Sequence, residues 1–88
     1  PRQMIGIEGH IDNDPVVSSQ HRNHHHLSVV QASEVFDQLV TRYRISPRQL
    51  FILGHGANHP RVSNATAAGK AKNRRIDVVV YPETTDEK

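Results

Sequence analysis

A mixed α/β fold, one sheet with helices packed on one of its faces, is the architecture this sequence predicts. Three observations carry it. Short runs of strand length stand at residues 4–10, 50–53 and 76–81. One long apolar stripe at helical spacing separates the first two, and a short alanine-rich segment separates the last two. The order strand, helix, strand, short helix, strand is that of an α/β sandwich whose sheet holds three to four strands.

The first run, Met4-Ile5-Gly6-Ile7-Glu8-Gly9-His10, alternates apolar with small or polar residues, as a strand does. It runs into Asp12-Asn13-Asp14-Pro15, a turn cluster in which Pro15 disfavours helix at Asp14. Residues 16–26 show no period and read as a long loop. Ala32, Val35, Phe36, Leu39, Val40 and Tyr43 then mark one buried helix face. Ser28-Val29-Val30-Gln31 fits the S-x-x-Q capping box, which puts Ser28 at the N-cap and Gln31 at the third helical position. Arg42 and Arg44 suit the negative end of the helix dipole, and Ser46-Pro47 stops it. Leu50-Phe51-Ile52-Leu53, closed by Gly54-His55-Gly56, reads as a buried strand. Residues 66–72 form a short helix with Thr66 as its cap and Gly69 as a weakening residue. Ile76-Asp77-Val78-Val79-Val80-Tyr81 is the last strand, ended by Pro82. Residues 1–82 are thus one domain and residues 83–88 a polar tail.

Composition excludes several classes. With 88 residues the chain has room for one small core, 35% of it is hydrophobic, and the net charge is only +2. The absence of cysteine rules out disulfides, thiol chemistry and cysteine-ligated metal. No run approaches the roughly 18 apolar residues of a membrane span. Arg61, Lys70, Lys72, Arg74 and Arg75 form a basic stretch with no acid among them. Nucleic-acid binding is not expected, because the two tyrosines and two phenylalanines fall mostly at core-like positions rather than on stacking platforms. The serines 18, 19, 28, 46 and 63 show no nucleophile–base arrangement, so no enzyme and no cofactor are expected. His21, His24, His25 and His26 raise a metal reading. Yet there is no H-E-x-x-H helix, and His21–His25 is the one regular i, i+4 pair of the cluster, which points to incidental affinity for nickel rather than a built site. His10 reads as a brace for its loop.

Several separated motifs carry a family resemblance. Gly9-His10-Ile11-Asp12 is similar to the G-H-T-D that ends a strand in OmpA-like peptidoglycan-binding domains. Leu27-Ser28-Val29-Val30-Gln31-Ala32 stands where that family has L-S-x-x-R-A. Gly56, Pro60, Asn64, Thr66 and Gly69 match a G…P…N-x-T-x-x-G pattern, followed by Asn73-Arg74-Arg75. The longer loop with Asp14-Pro15-Val16 resembles the flagellar-stator members in particular.

The resemblance implies an OmpA-like fold from which this chain lacks the family's N-terminal strand and helix. It implies a non-catalytic wall anchor, periplasmic or outer-membrane associated, held in the inner membrane by a segment outside this chain. Peptidoglycan is the implied ligand, a homodimer the implied assembly, and a motor membrane subunit the implied partner of the N-terminal region. The ligand's diaminopimelate carries carboxylates and an ammonium, so recognition needs an anion and a cation side by side. Asp12 matches the family's aspartate, although turn chemistry alone also explains it. Gln31 stands where the family has arginine, and an amide does not reproduce the charged two-bond fork. Arg74, Arg75 or a protonated loop histidine such as His24 then supplies the cation, or the groove is degenerate and serves as an interaction module. Arg74 and Arg75 alternate across the start of a strand, and family analogy assigns Arg75 to the site side. Asn73 either touches ligand or braces a backbone turn. The implied peptidoglycan set is Asp12, Gln31, His24, Asn73 and Arg75, with no metal.

Overall fold

The computed structural model describes residues 3–16 and 21–82. The tail at 83–88 and the serines at 18 and 19 lie outside the described residues. The elements are strand β1 (Met4–His10), helix α1 (His24–Thr41), a 3-10 turn (Pro47–Gln49), strand β2 (Leu50–Gly54), helix α2 (Ala67–Asn73) and strand β3 (Arg75–Tyr81). The sheet has order β2-β1-β3 and is mixed: β1 runs parallel to β2 and antiparallel to β3.

Strand alternation divides β1 between two environments. Ile5 and Ile7 face α1 and join Ala32, Leu50, Ile52 and Ile76 in the core, with Val35, Phe36, Leu39 and Val40 supplying the helix side. Glu8 and His10 point to the opposite face. Helix α1 lies over β1 and β2 and barely reaches β3. Val78 and Val80, which pair with Ile7 and Ile5, therefore stay more than half exposed on the helix side of the sheet.

Two helix boundaries differ from the sequence expectation. Helix α1 begins five residues earlier, because the Asn23 side chain accepts the His26 N–H at 2.8 Å and forms the N-cap. Ser28 is consequently inside the helix and fully buried, so Gln31 is not its capping partner and sits two turns in. The helix also ends sooner. Arg44 adopts a left-handed φ of 58°, and beyond it the Ile45 N–H turns back onto the Leu39 carbonyl, six residues earlier, at 3.0 Å. Ile45 thereby reaches the core, while Tyr43 swings out to 63% exposure and leaves the buried stripe. Helix α2 matches its expectation, with Thr66 Oγ1 accepting the Gly69 N–H at 3.0 Å.

Helix and sheet meet most closely at Gly9. A Cβ built there would lie 2.1 Å from the Ser28 carbonyl oxygen, a backbone atom that cannot move aside. The Ser28 hydroxyl completes the seam, donating to the His25 carbonyl at 2.9 Å and accepting the Gly56 N–H at 3.0 Å. Gly9→Ala is expected to force α1 off the sheet and destabilise the domain by about 1–3 kcal/mol, measured by urea denaturation.

Candidate functional site

Beyond its last residue, β1 continues to be held. The Ile11 N–H donates to the Gly56 carbonyl and the His55 N–H to the Gly9 carbonyl, both at 3.0 Å, so the parallel pairing extends past the strand ends. This fixes the exit path that carries Asp12 into a cavity of about 330 Å³. The wall combines apolar Ile11, Pro15 and Leu27 with polar Asp12, Gln31 and Arg74. Asp12 is buried. Its Oδ1 accepts the Asp14 N–H at 2.9 Å, the turn bond anticipated from sequence, and its Oδ2 accepts Arg74 Nη1 at 2.5 Å. Burial alone would raise the Asp12 pKa. The Asp14 N–H and the Arg74 guanidinium outweigh it, and the carboxyl is held below its ordinary value. Lys70 adds a second pair, donating to Asp14 Oδ1 at 2.6 Å.

The candidate residues divide into two groups. Asp12 and Gln31 line the cavity. His24 does not line the cavity but holds one of its lining residues: its Nε2–H donates to the Asp14 carbonyl at 2.7 Å and steadies the turn. Asn73 is fully buried and braces backbone: its Oδ1 accepts the Arg61 and Val62 N–H groups, and its Nδ2 donates to the Val62 carbonyl and Asn64 Oδ1. Arg75 lies elsewhere. As the first residue of β3 it projects to the far face of the sheet, where Nε donates to Asp77 Oδ2 at 3.2 Å and Nη2 to the His59 carbonyl. The alternation expected of the two arginines holds, with the assignment reversed: Arg74, at the α2 C-cap, is the one that meets Asp12.

A second polar group occupies that far face, and the sequence reading took only His10 from it. Glu8 accepts from Tyr81 OH on Oε2 and pairs with His55 Nε2 through Oε1 at 2.7 Å. His10 stacks on His55 with centroids 4.5 Å apart and sets Nε2 3.3 Å from Asp77 Oδ2. Burial, the Arg75 charge and the neighbouring His55 lower the His10 pKa. Burial of Glu8 is outweighed by its bonds from Tyr81 and His55, which keep it a carboxylate. The period-two pattern of β1 was the available signal: Glu8 and His10 share a face by spacing. His55 could not be paired with them without the β1–β2 register. The histidines at 24–26, expected in a loop, occupy the first turn of α1 and turn to different partners: His24 to Asp14, His25 to Asn58 and His26 to the Arg22 N–H.

The OmpA family profile matches residues 1–74. This chain belongs to the OmpA family. It is 37% identical over 82 residues to motility protein B of Bacillus subtilis, covering 93% of this chain and 31% of that protein. It is 38% identical over 80 residues to the peptidoglycan-binding protein ArfA of Mycobacterium tuberculosis, covering 91% of this chain and 23% of that protein. Among solved structures, the C-terminal domain of Helicobacter pylori MotB superposes with a TM-score of 0.86 at 25% identity, over 94% of this chain and 62% of that one. The domain thus spans a third or less of these curated relatives, and its fold is that of the MotB C-terminal domain.

Two outcomes follow from the geometry. Asn73→Ala should destabilise the domain by about 1–3 kcal/mol, since it removes at once the bonds of a fully buried side chain to the Arg61 and Val62 N–H groups and the Val62 carbonyl, read by thermal or urea unfolding. The Asp12 carboxyl has a depressed folded-state pKa, so its contribution is complete above the unfolded value and is lost as pH falls through the folded one. Stability should therefore drop below about pH 4, and Asp12→Asn, already lacking that contribution at pH 7, should show a smaller drop across the same window.

Proposed function

We propose that this OmpA-family domain is a non-catalytic peptidoglycan-binding module that anchors a longer envelope protein to the cell wall. The observation that carries it is the cavity in which Asp12 and Arg74 present opposite charges side by side. A diaminopimelate stem offers an ammonium and carboxylates on one short chain. Its ammonium pairs with Asp12, supported by Asp14. Its carboxylate takes the half-exposed guanidinium of Arg74, one N–H of which is already held by Asp12. Gln31 contributes a neutral amide from the helix side of the same wall. The relative named as a peptidoglycan-binding protein and the motility protein B relatives support this reading. On the same basis the whole protein is a dimeric, membrane-anchored motility-type protein with this domain outside the cytoplasmic membrane.

Gln31 favours a second reading, in which the groove no longer takes peptidoglycan and the domain is an interaction module. Calorimetry with diaminopimelate-containing muropeptides separates the two. Saturable binding is expected, abolished by Asp12→Ala and weakened roughly 30-fold or more by Arg74→Ala, the loss typical of removing one partner of a charged contact. Gln31→Arg should tighten it. A parent that fails to bind while Gln31→Arg binds would establish the interaction-module reading instead.

A further inference from the structure

The far face of the sheet holds a donor set that the wall-binding reading does not use. Glu8, His10 and His55 each offer one ligand atom, and these atoms lie within 4.8 Å of one another. We propose that Glu8, His10 and His55 form a binding site for a divalent transition-metal ion, of which zinc is the best-matched. The site faces away from α1, so it is separate from the Asp12 cavity and independent of whether that cavity binds peptidoglycan.

Two independent features argue for a ligand rather than a chance gathering of polar groups. The first is His10. Its side chain is 94% buried, one ring nitrogen is directed to Asp77, and the other, Nδ1, has no hydrogen-bond partner among the described residues. A buried polar atom without a partner costs free energy, and native structures leave few of them. A neutral imidazole whose N–H is held by a carboxylate keeps its other lone pair for a metal, as in carboxylate–histidine–zinc arrangements. The second is the outer layer of partners. Tyr81 OH holds the Oε2 of Glu8 and leaves Oε1 toward His55. Asp77 holds His10 and is itself matched by Arg75 and Arg61. Both buried ligands are thus oriented by a neighbour on β3.

The chemistry of the donors fits a zinc ion. Two imidazoles and one carboxylate are a common zinc set, with metal–ligand bonds of about 2.0–2.2 Å and a fourth position for water or a further donor. Ligand atoms around a tetrahedral ion lie about 3.4 Å apart by that geometry. The widest of the spacings would close by up to about 1.4 Å, while Glu8 Oε1 and His55 Nε2, now 2.7 Å apart, would part slightly around the ion. His55 is the ligand placed to make it. It follows β2 in a loop, its side chain is a quarter exposed, and it rests on His10 only by stacking. Turning out of the stack exchanges its hydrogen bond to Glu8 for a shared ion. His59, edge-on to His55 at 5.0 Å between centroids, is the nearest further imidazole.

The test is calorimetric titration of the full chain with zinc chloride, run beside cobalt(II) absorption to report coordination. One zinc per chain is expected, with His55→Ala weakening it at least tenfold and Asp77→Asn weakening it about 10- to 100-fold. His24→Gln and His26→Gln should leave it intact. In the unmutated chain, zinc should shift the ring resonances of His10 and His55 ahead of those of His24–His26, a readout that does not depend on any variant folding. Absence of stoichiometric zinc binding overturns the proposal. So does binding that survives His55→Ala and disappears with the histidines at 24–26. Muropeptide binding by the same samples reports on the Asp12 cavity separately.

Discussion

The close approach of α1 to β1 at Gly9 is the constraint on which the rest of this small domain depends. Only a residue without a side chain lets the Ser28 carbonyl reach the strand. Once there, the Ser28 hydroxyl ties the helix to the Gly56 backbone, and Gly56 in turn holds Ile11. This chain of contacts runs directly into the cavity: Ile11 precedes Asp12, and Gln31 lies one turn along α1 from Ser28. Few residues are fully buried, so the position of the site relies on this backbone seam more than on a large core.

Much of this was legible in the sequence, and the failures have identifiable causes. All three strands and both helices are present where periodicity and punctuation put them, with only the ends of α1 displaced. The start of α1 was misplaced because two capping signals compete there. Ser28 and Gln31 make a local capping box, but Asn23 wins at the terminus and the Gly9 approach draws Ser28 inside. Local sequence carries no information about that tertiary demand. Gly69 was read as a poor helix former and as part of the family pattern, with no packing role. Its missing side chain is required, since a Cβ there would lie 2.0 Å from the Ser63 carbonyl. Asp12 was singled out by its motif, and the structure places it in the cavity wall. Which of two adjacent arginines joins it depends on where α2 ends and β3 begins, and that boundary falls between Arg74 and Arg75.

β1 distributes chemistry to two places with one alternating pattern. Its odd-numbered residues make the core, and its even-numbered residues Glu8 and His10 build the far-face cluster with β2's following loop and β3. Past the strand, the turn brings Asp12 to the C-terminal end of α2, where Arg74 meets it. Asn73 and Arg74, consecutive in sequence, then serve different ends: one closes the 61–64 loop from inside, the other completes the cavity from its rim. Arg75, the next residue, belongs to the far face. Three neighbouring side chains therefore hold together a loop, a cavity and a sheet face, which explains why the N-R-R run is informative about the family but ambiguous about roles.

The Asp12–Arg74 pair also limits what the cavity can accept. In the ligand-free domain each charge is the other's partner, and Asp12 is buried while Arg74 is half exposed. A ligand carrying only a positive charge would draw on Asp12 and weaken its hold on the guanidinium. One carrying only a negative charge would pull Arg74 outward and leave a buried carboxylate less compensated, which is the costly case. A zwitterion with its charges one short carbon chain apart inserts into the pair and leaves neither group unmatched. On the proposed reading, selectivity for such a ligand would come from the pre-existing ion pair itself, with Arg74 rather than Gln31 as the cationic member of the cavity wall.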